Sequence, residues 1–367
     1  MAGNVPEAGR TGVLAYRAAA QELHRPPVRR PGDLAVLALG VQDTPYGSAR
    51  LALAARGVTD DDRLELVWSM RGAPHLHRRA GLPALAAALW PFDDADAARR
   101  ISGQIGTGAA LGLGAFEAAA RAFAQVVTGP MAKGEVSRAV SDRVPAALTY
   151  DCGPCQARHI SGSLFQQAGL AGGVRLEVSG RTTTLAPLAG WPGPPEAATG
   201  TTALARTVLR LLGPATPGDV AAFLGTSPTA LRPVWPEDLA EVRVDGRRAW
   251  LPAEQLPALR AAEAPAGVRL LPPGDPFLQA RDREVLVPEK ARRSQLWRMI
   301  GSPGAVLVDG DVAGTWRAKQ AGRGVLDLTV SPFGRLPARA RRHLDEEAAV
   351  VAAARGATET RVHVDGP

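Results

Sequence analysis

A chain of 367 residues is too long for one ordinary core and fits two to four modules, and an apolar share of 46% is ample for burying them. The formal charge of +7 favours polyanionic partners such as nucleic acid, and of the 43 basic residues only Lys133, Lys290 and Lys319 are lysine. The arginines that make up the rest fork onto phosphate and guanine. Two cysteines exclude a disulfide framework, no run is apolar enough to span a bilayer, and "MAGNVPEAGRTG" lacks a secretory core, so a soluble, cytoplasmic protein is expected.

After a flexible tail over residues 1–11, "TGVLAYRAAAQEL" and "GDLAVLALGVQ" predict helices, and "PYGSARLALAAR" predicts another. Between the last two lies the triplet Gln42-Asp43-Thr44. Pro45 disfavours helical geometry at Thr44 and suits the first helical position, which makes Thr44 the expected N-cap. That capping reading leaves Gln42 and Asp43 unexplained, as polar groups at a helix junction flanked by apolar residues. "RLELVWSMRGAPHLHR" predicts a strand pair turning near Gly72-Ala73-Pro74, with His75 and His77 on one face. With no third metal ligand in view, the two imidazoles suit contact with a phosphate or base, or a hydrogen bond that holds the hairpin.

The Gly-rich "GQIGTGAALGLGAF" lacks the spacing and the preceding strand of a nucleotide-binding loop, and predicts a loosely packed helical segment. "GEVSRAVSDRV", "SGSLFQQAGLA" and "VRLEVSGRTTTLAPL" then read as helix, helix and hairpin, with Ser179-Gly180-Arg181 at the tip. Between them, "CGPCQARH" offers Cys152, Cys155 and His159 but no second cysteine pair for a structural zinc. A Gly-Pro turn bracketed by two small residues is the expectation, and no metal site is assigned.

"APLAGWPGPPEAATG" reads as a linker, after which "GPATPGDV" echoes the earlier "GPMAKGEV". Thr216 as N-cap, Pro217 at the first helical position and Asp219 at the third predict a helix start. "AEVRVDGRRAWLP" predicts a hairpin turning at Asp245-Gly246, with Arg247 and Arg248 at its tip. Helix, turn, helix and basic hairpin make a winged helix-turn-helix, and the order occurs three times. The expected modules are 12–108, 109–198 and 199–262. Beyond the second linker, "PAEQLPALRAAEAPAG", short apolar strands predict a small all-β module over 263–367 with a closing helix in "ARARRHLDEEAAVVAAARG". Within it "GSPG" is like the hairpin of helix-hairpin-helix repair enzymes, but it runs into the strand "AVLVDG" where that motif needs a helix.

"GVQDTPYGSARLALAAR", "SMRGAPHLH", "TGPMAKGEVSRAV…CGPCQARHISGSLF" and the long stretch from Leu270 to Arg317 carry a resemblance. In unbroken order from about Thr11 to Gly356, the chain resembles the winged-helix DNA glycosylases typified by AlkZ and YcaQ. The resemblance implies an α+β fold, with three tandem winged helix-turn-helix modules in a C-shape followed by a small β-barrel-like domain. It also implies a monomer that hydrolyses the N-glycosidic bond of N7-alkylguanine, bulky or crosslinked, in double-stranded DNA, with no cofactor and no membrane. The family's catalytic motif is Gln-apolar-Gln or Gln-apolar-Asp. One register sets Gln42 on the first glutamine, and the other sets Asp43 on the catalytic acid with Val41 where glutamine is expected. Asp43 is the carboxylate within reach in both. The expected roles are therefore Asp43 as base and electrostatic stabiliser, Gln42 positioning water and Thr44 capping or assisting. Arg71, His75 and His77 would touch the DNA backbone or wedge the duplex, and Arg181, Arg247 and Arg248 would contact phosphates. A DNA-binding relative without catalysis, or a transcriptional regulator, is the alternative.

Overall fold

The computed structural model describes residues 5–25, 30–59, 62–101, 103, 105–154, 156–180 and 182–366. Cys155 and Arg181 lie outside the described residues. The chain divides into two compact units, one formed by Met1–Asp61, Arg206–Asp219 and Glu237–Pro367, the other by Asp62–Ala205 and Val220–Pro236. The segment 12–108, expected as one winged helix, thus gives helices Arg10–Ala20 and Ser48–Ala54 to the first unit, and its hairpin with helices Leu82–Leu89 and Asp94–Ile101 to the second.

In the first unit, helix Arg10–Ala20 packs Val13 and Tyr16 against Val242, Val244, Ala249, Leu251 and Leu259. The last set comes from hairpin strands Leu239–Val244 and Arg247–Pro252 and helix Leu256–Ala261. The hairpin turns at Asp245-Gly246 as expected, with φ of 47° and 81°, the paired positive angles of a two-residue turn that matches strand twist. Within the expected tail, Glu7–Ala8 is a strand that runs parallel to Leu239–Val244. The Thr216 start is also as expected: Thr216 Oγ1 accepts the Asp219 amide at 3.1 Å, and Asp219 Oδ2 accepts the Thr216 amide at 2.9 Å.

The expected barrel-like module is a five-stranded sheet in the order Val268–Leu271, Gly304–Val308, Asp311–Gln320, Val325–Pro332, Glu359–Val364. Helix Ala338–Ala354 closes its core, where Leu344 and Val351 meet Leu270, Val306, Trp316, Leu328 and Val330. Leu51, from helix Ser48–Ala54, enters the same core. The short helix that follows Gln42-Asp43-Thr44 is thereby anchored on the C-terminal sheet.

"GDLAVLALGVQ" is not the expected helix. It forms two 3-10 turns, Pro31–Asp33 and Ala35–Ala38, and a two-residue strand, Val41–Gln42. Leu34, Val36, Leu37, Leu39 and Val41 are all buried, a spacing that does not follow the single apolar stripe of a surface helix.

The second unit is built on Trp68, Trp90, Phe116, Phe123 and Phe165, drawn from hairpins and helices alike. Its hairpins are Leu64–Trp68 with Pro74–Arg78, Val174–Ser179 with Thr182–Pro187, and Thr149–Cys152 with Ala157–Ile160. The third went unread in the sequence, and the expected Gly-Pro turn is its tip. Helices Lys133–Ser141 and Gly162–Gly169 fall where the sequence put them, and the Gly-rich run is indeed helical, as Gly106–Ala109 and Leu113–Val126.

Candidate active site and nucleic-acid contacts

The triplet lies between the strand Val41–Gln42 and helix Ser48–Ala54. Gln42 is half-buried and Thr44 exposed, while Asp43 is 8% exposed. Thr44 is not the N-cap expected from Pro45. The helix starts three residues later, with Gly47 at the N-cap in the left-handed region at φ 88°, where a side chain would be strained. The capping oxygen belongs to Asp43 instead: its Oδ1 accepts the amide of Ala49 at 2.9 Å. The carboxylate therefore sits at the positively polarised end of a helix, with one oxygen oriented by a backbone bond.

A loop from the C-terminal module backs this triplet. Gly274, at φ 77°, lies so close that a Cβ there would stand 3.4 Å from Gln42 Cβ and Cδ and from the Thr44 carbonyl. The next residue, Asp275, is wholly buried and pairs with the equally buried Arg56 at 2.9 and 3.0 Å. Asp275 Oδ1 also accepts the Phe277 amide, and Arg56 donates to the carbonyls of Gln21 and Ala52 and to Gln21 Oε1. Gln21 in turn donates to the Leu211 carbonyl at 2.9 Å. Sequence reading missed this network, whose one visible sign was a Gly-Asp pair inside the Pro-rich "LPPGDPF".

His75 and His77 are 2% and 3% exposed, on the inward face of their strand. Ser69 Oγ lies 2.9 Å from His75 Nδ1 and 3.0 Å from His77 Nε2, and the Ala73 carbonyl lies 2.9 Å from His75 Nδ1. The network is satisfied when His75 Nδ1–H donates to Ala73 and the Ser69 hydroxyl donates to His77. Burial holds the His75 imidazole neutral, down to about 4, with the Arg71 charge adding to the effect against the Ala73 bond. Of the two expectations for this pair, the burial of both rings and their contacts with Ser69 favour holding the hairpin.

Arg71 is likewise turned inward. At φ 58° it donates to the Phe223 carbonyl and lies over the Phe223 ring at 5.4 Å from the centroid. A Cβ on Gly225 would stand 2.9 Å from its Cγ. Arg247 and Arg248 stay at the surface with side chains 78% and 63% exposed. Each faces an acid: Arg247 meets Glu284 at 2.9 Å, and Arg248 meets both Glu241 oxygens at 2.7 and 2.6 Å. Among the described residues, no three His, Cys, Asp or Glu side chains gather as a metal site, and no helix is long and apolar enough to cross a membrane.

This arrangement of mixed helices and hairpins is an α+β fold shared with a solved protein. The structure of Streptomyces sahachiroi DNA glycosylase AlkZ matches with a TM-score of 0.70 at 25% identity, covering 98% of this chain and 100% of that one. A curated relative from Streptomyces sahachiroi, an interstrand DNA cross-link repair glycosylase, is 36% identical over 135 residues. That match spans 35% of this chain and 34% of the relative, about a third of its length. The family model described as DNA glycosylase AlkZ-like matches residues 37–354, and the chain belongs to this AlkZ-like DNA glycosylase family. The resemblance read from the sequence is the family it belongs to.

Proposed function

We propose that this protein is a monomeric, cytoplasmic DNA glycosylase that hydrolyses the N-glycosidic bond of N7-alkylguanine in double-stranded DNA. Family membership over residues 37–354 supports glycosylase chemistry. The observation that carries the site assignment is the enclosed Asp43 carboxylate, fixed by the Ala49 amide beside Gln42.

The chemistry needs little more. N7-alkylated guanine already bears a positive charge and departs without a general acid or a cofactor. The sugar becomes oxocarbenium-like, and one carboxylate both stabilises that charge and takes a proton from water attacking C1′ opposite the departing base. Gln42 offers a donor and an acceptor that orient the water, and the exposed Thr44 hydroxyl assists. Neutral guanine is a far poorer leaving group, which confines the reaction to damaged nucleotides.

The three helix-hairpin segments, 12–108, 109–198 and 199–262, act as winged helices that grip the duplex, followed by the module at 263–367. Arg247 and Arg248, together with Arg181, contact phosphates. The hairpin that carries Arg71, His75 and His77 meets DNA through its backbone and outer face, with these three side chains as its internal braces. The printed name of the Streptomyces sahachiroi relative supports extending the substrate range to bulky and interstrand-crosslinked adducts.

A second reading, a binder that grips adducts without cleaving them, draws on the engagement of Asp43 Oδ1 as a helix cap. Duplexes that carry N7-methylguanine, a bulky adduct or a crosslink separate the two readings on a sequencing gel. An enzyme leaves alkali-labile abasic sites at the adduct, whereas a binder shifts the intact duplex and leaves none.

A further inference from the structure

Met299 is 99% exposed and its neighbour Ile300 87%, in the seven-residue connection between helix Lys290–Leu296 and strand Gly304–Val308. Two adjacent aliphatic side chains so fully in water have no folding role. Their support is nevertheless built. The Arg298 amide donates to Ser302 Oγ at 3.1 Å, and Ser302 Oγ donates to the Arg298 carbonyl at 3.1 Å. Arg317 donates to the Gly301 carbonyl, and the Arg283 guanidinium lies 4.9 Å from the Trp297 ring centroid at the base. The connection carries Arg298 and no acid, and the preceding helix carries Lys290, Arg292 and Arg293, of which Arg292 is paired with Glu289 at 2.8 Å.

The sheet register places this tip relative to the triplet. Strand Val268–Leu271 runs antiparallel to Gly304–Val308 with Leu271 opposite Ala305. The segment that leaves after Leu271 and the connection that arrives before Gly304 therefore emerge at the same end of the sheet. The first of these carries Gly274, which lies against Gln42 and Thr44. Trp316 Nε1 donates to the Leu271 carbonyl at 2.8 Å and ties that end together.

We propose that Met299 and Ile300 form a wedge that enters the base stack of duplex DNA next to the damaged nucleotide. This rests on the glycosylase reading above. Duplex DNA is the occupant that fits a projecting aliphatic pair next to Arg298 and a basic helix, since cations hold phosphates while apolar side chains such as Met and Ile part a base step. A tip of two side chains offers a protein partner very little area to bury.

The test uses the full chain and a duplex with 2-aminopurine beside a tetrahydrofuran abasic analogue, whose fluorescence rises on unstacking. The wild-type protein raises the signal. The double variant Met299→Ser/Ile300→Ser binds the duplex without raising it, and Met299→Leu/Ile300→Leu restores the rise. On N7-methylguanine duplex the serine pair slows base release by at least about tenfold, while release from single strands is unchanged. A serine pair that unstacks and releases base like wild type overturns the wedge and leaves the glycosylase reading standing. Unstacking that depends on the pair, with no base released by wild type, sinks the glycosylase reading and leaves the wedge. A wild-type dimer that the serine pair splits, with unstacking intact, shows that the tip meets a second copy and also overturns the proposal.

Discussion

Arg56 and Asp275 form a two-point ion pair, at 2.9 and 3.0 Å, with neither side chain exposed to solvent. The pair ties helix Ser48–Ala54 and its extension to the loop that presses Gly274 on Gln42. Removing one partner strands a buried charge. Arg56→Met or Asp275→Asn is expected to lower unfolding stability by about 3–5 kcal/mol. The double substitution Arg56→Met/Asp275→Leu recovers much of that loss, because an apolar pair leaves no uncompensated charge. Urea unfolding of the three variants measures it; single variants within about 1 kcal/mol of wild type contradict the assignment.

Asp43→Asn separates chemistry from capping. The amide oxygen of asparagine still accepts the Ala49 bond, and asparagine is among the best caps, so stability should change by less than about 1 kcal/mol. The negative charge and the proton acceptor are lost. Base release from N7-methylguanine DNA should fall by about 100- to 10,000-fold, with affinity for the duplex retained. Rates near wild type would show that Asp43 is a cap and nothing more.

Gly274 tests the backing of Gln42. Gly274→Ala adds a methyl 3.4 Å from Gln42 and forces a side chain onto φ 77°, at a cost of about 1–2 kcal/mol. The shift falls on the water-orienting amide and not on the DNA grip. The expected signature is a reduced kcat with little change in duplex affinity; an equal loss of both would place Gly274 in the DNA contact itself.

How much of this the sequence disclosed depends on the range of the interactions. The Asp245-Gly246 turn and the Thr216–Asp219 capping box were readable because each is settled by the backbone preferences of neighbouring residues. The segment Gly32–Gln42 was misread because Leu34, Val36, Leu37, Leu39 and Val41 are buried at spacings that follow no single helical stripe, and Gly40 at φ 78° breaks any continuation. Arg56 and Asp275 stand 219 residues apart, and no local pattern pairs them. Asp43 stood out in the sequence as a polar group among apolar neighbours, but the cap it places on Ala49 was assigned to Thr44 because Pro45 imitates a helix start that occurs only at Ser48. His75 and His77 were expected on one face of a strand, which they are, but alternation says nothing of whether that face looks inward.

The burial of His75 makes stability depend on pH. Its ordinary value is 6.5, and in the folded protein it is pushed down to about 4. Between these values the unfolded chain binds a proton that the native hairpin excludes. The stabilisation is complete above 6.5 and drains away as pH falls through the window to 4, by about 3 kcal/mol in all. His75→Gln should flatten this dependence without moving the midpoint of base release. Unfolding curves for both proteins at pH 7, 5.5 and 4.5 decide the matter; parallel losses assign the acid sensitivity elsewhere.

The wing arginines make the last test one of salt. Arg248 is clamped by both oxygens of Glu241, and Arg247 meets Glu284, yet all four side chains are at least a quarter exposed. Exposed pairs of this kind are weak, so exchanging the carboxylate for a DNA phosphate costs the fold little. If the hairpin lies on the duplex, Arg247→Ala/Arg248→Ala should make the slope of log affinity against log salt shallower by about 0.9 for each phosphate contact removed. Glu241→Gln should act in the opposite sense, since it frees Arg248 and removes a negative charge facing the DNA, and binding at low salt should tighten. Fluorescence anisotropy with an undamaged duplex across a salt series reads both effects. A slope that stays fixed in the arginine double variant, with Glu241→Gln neutral, would mean that this hairpin points away from the nucleic acid and that the duplex is held by other arginines.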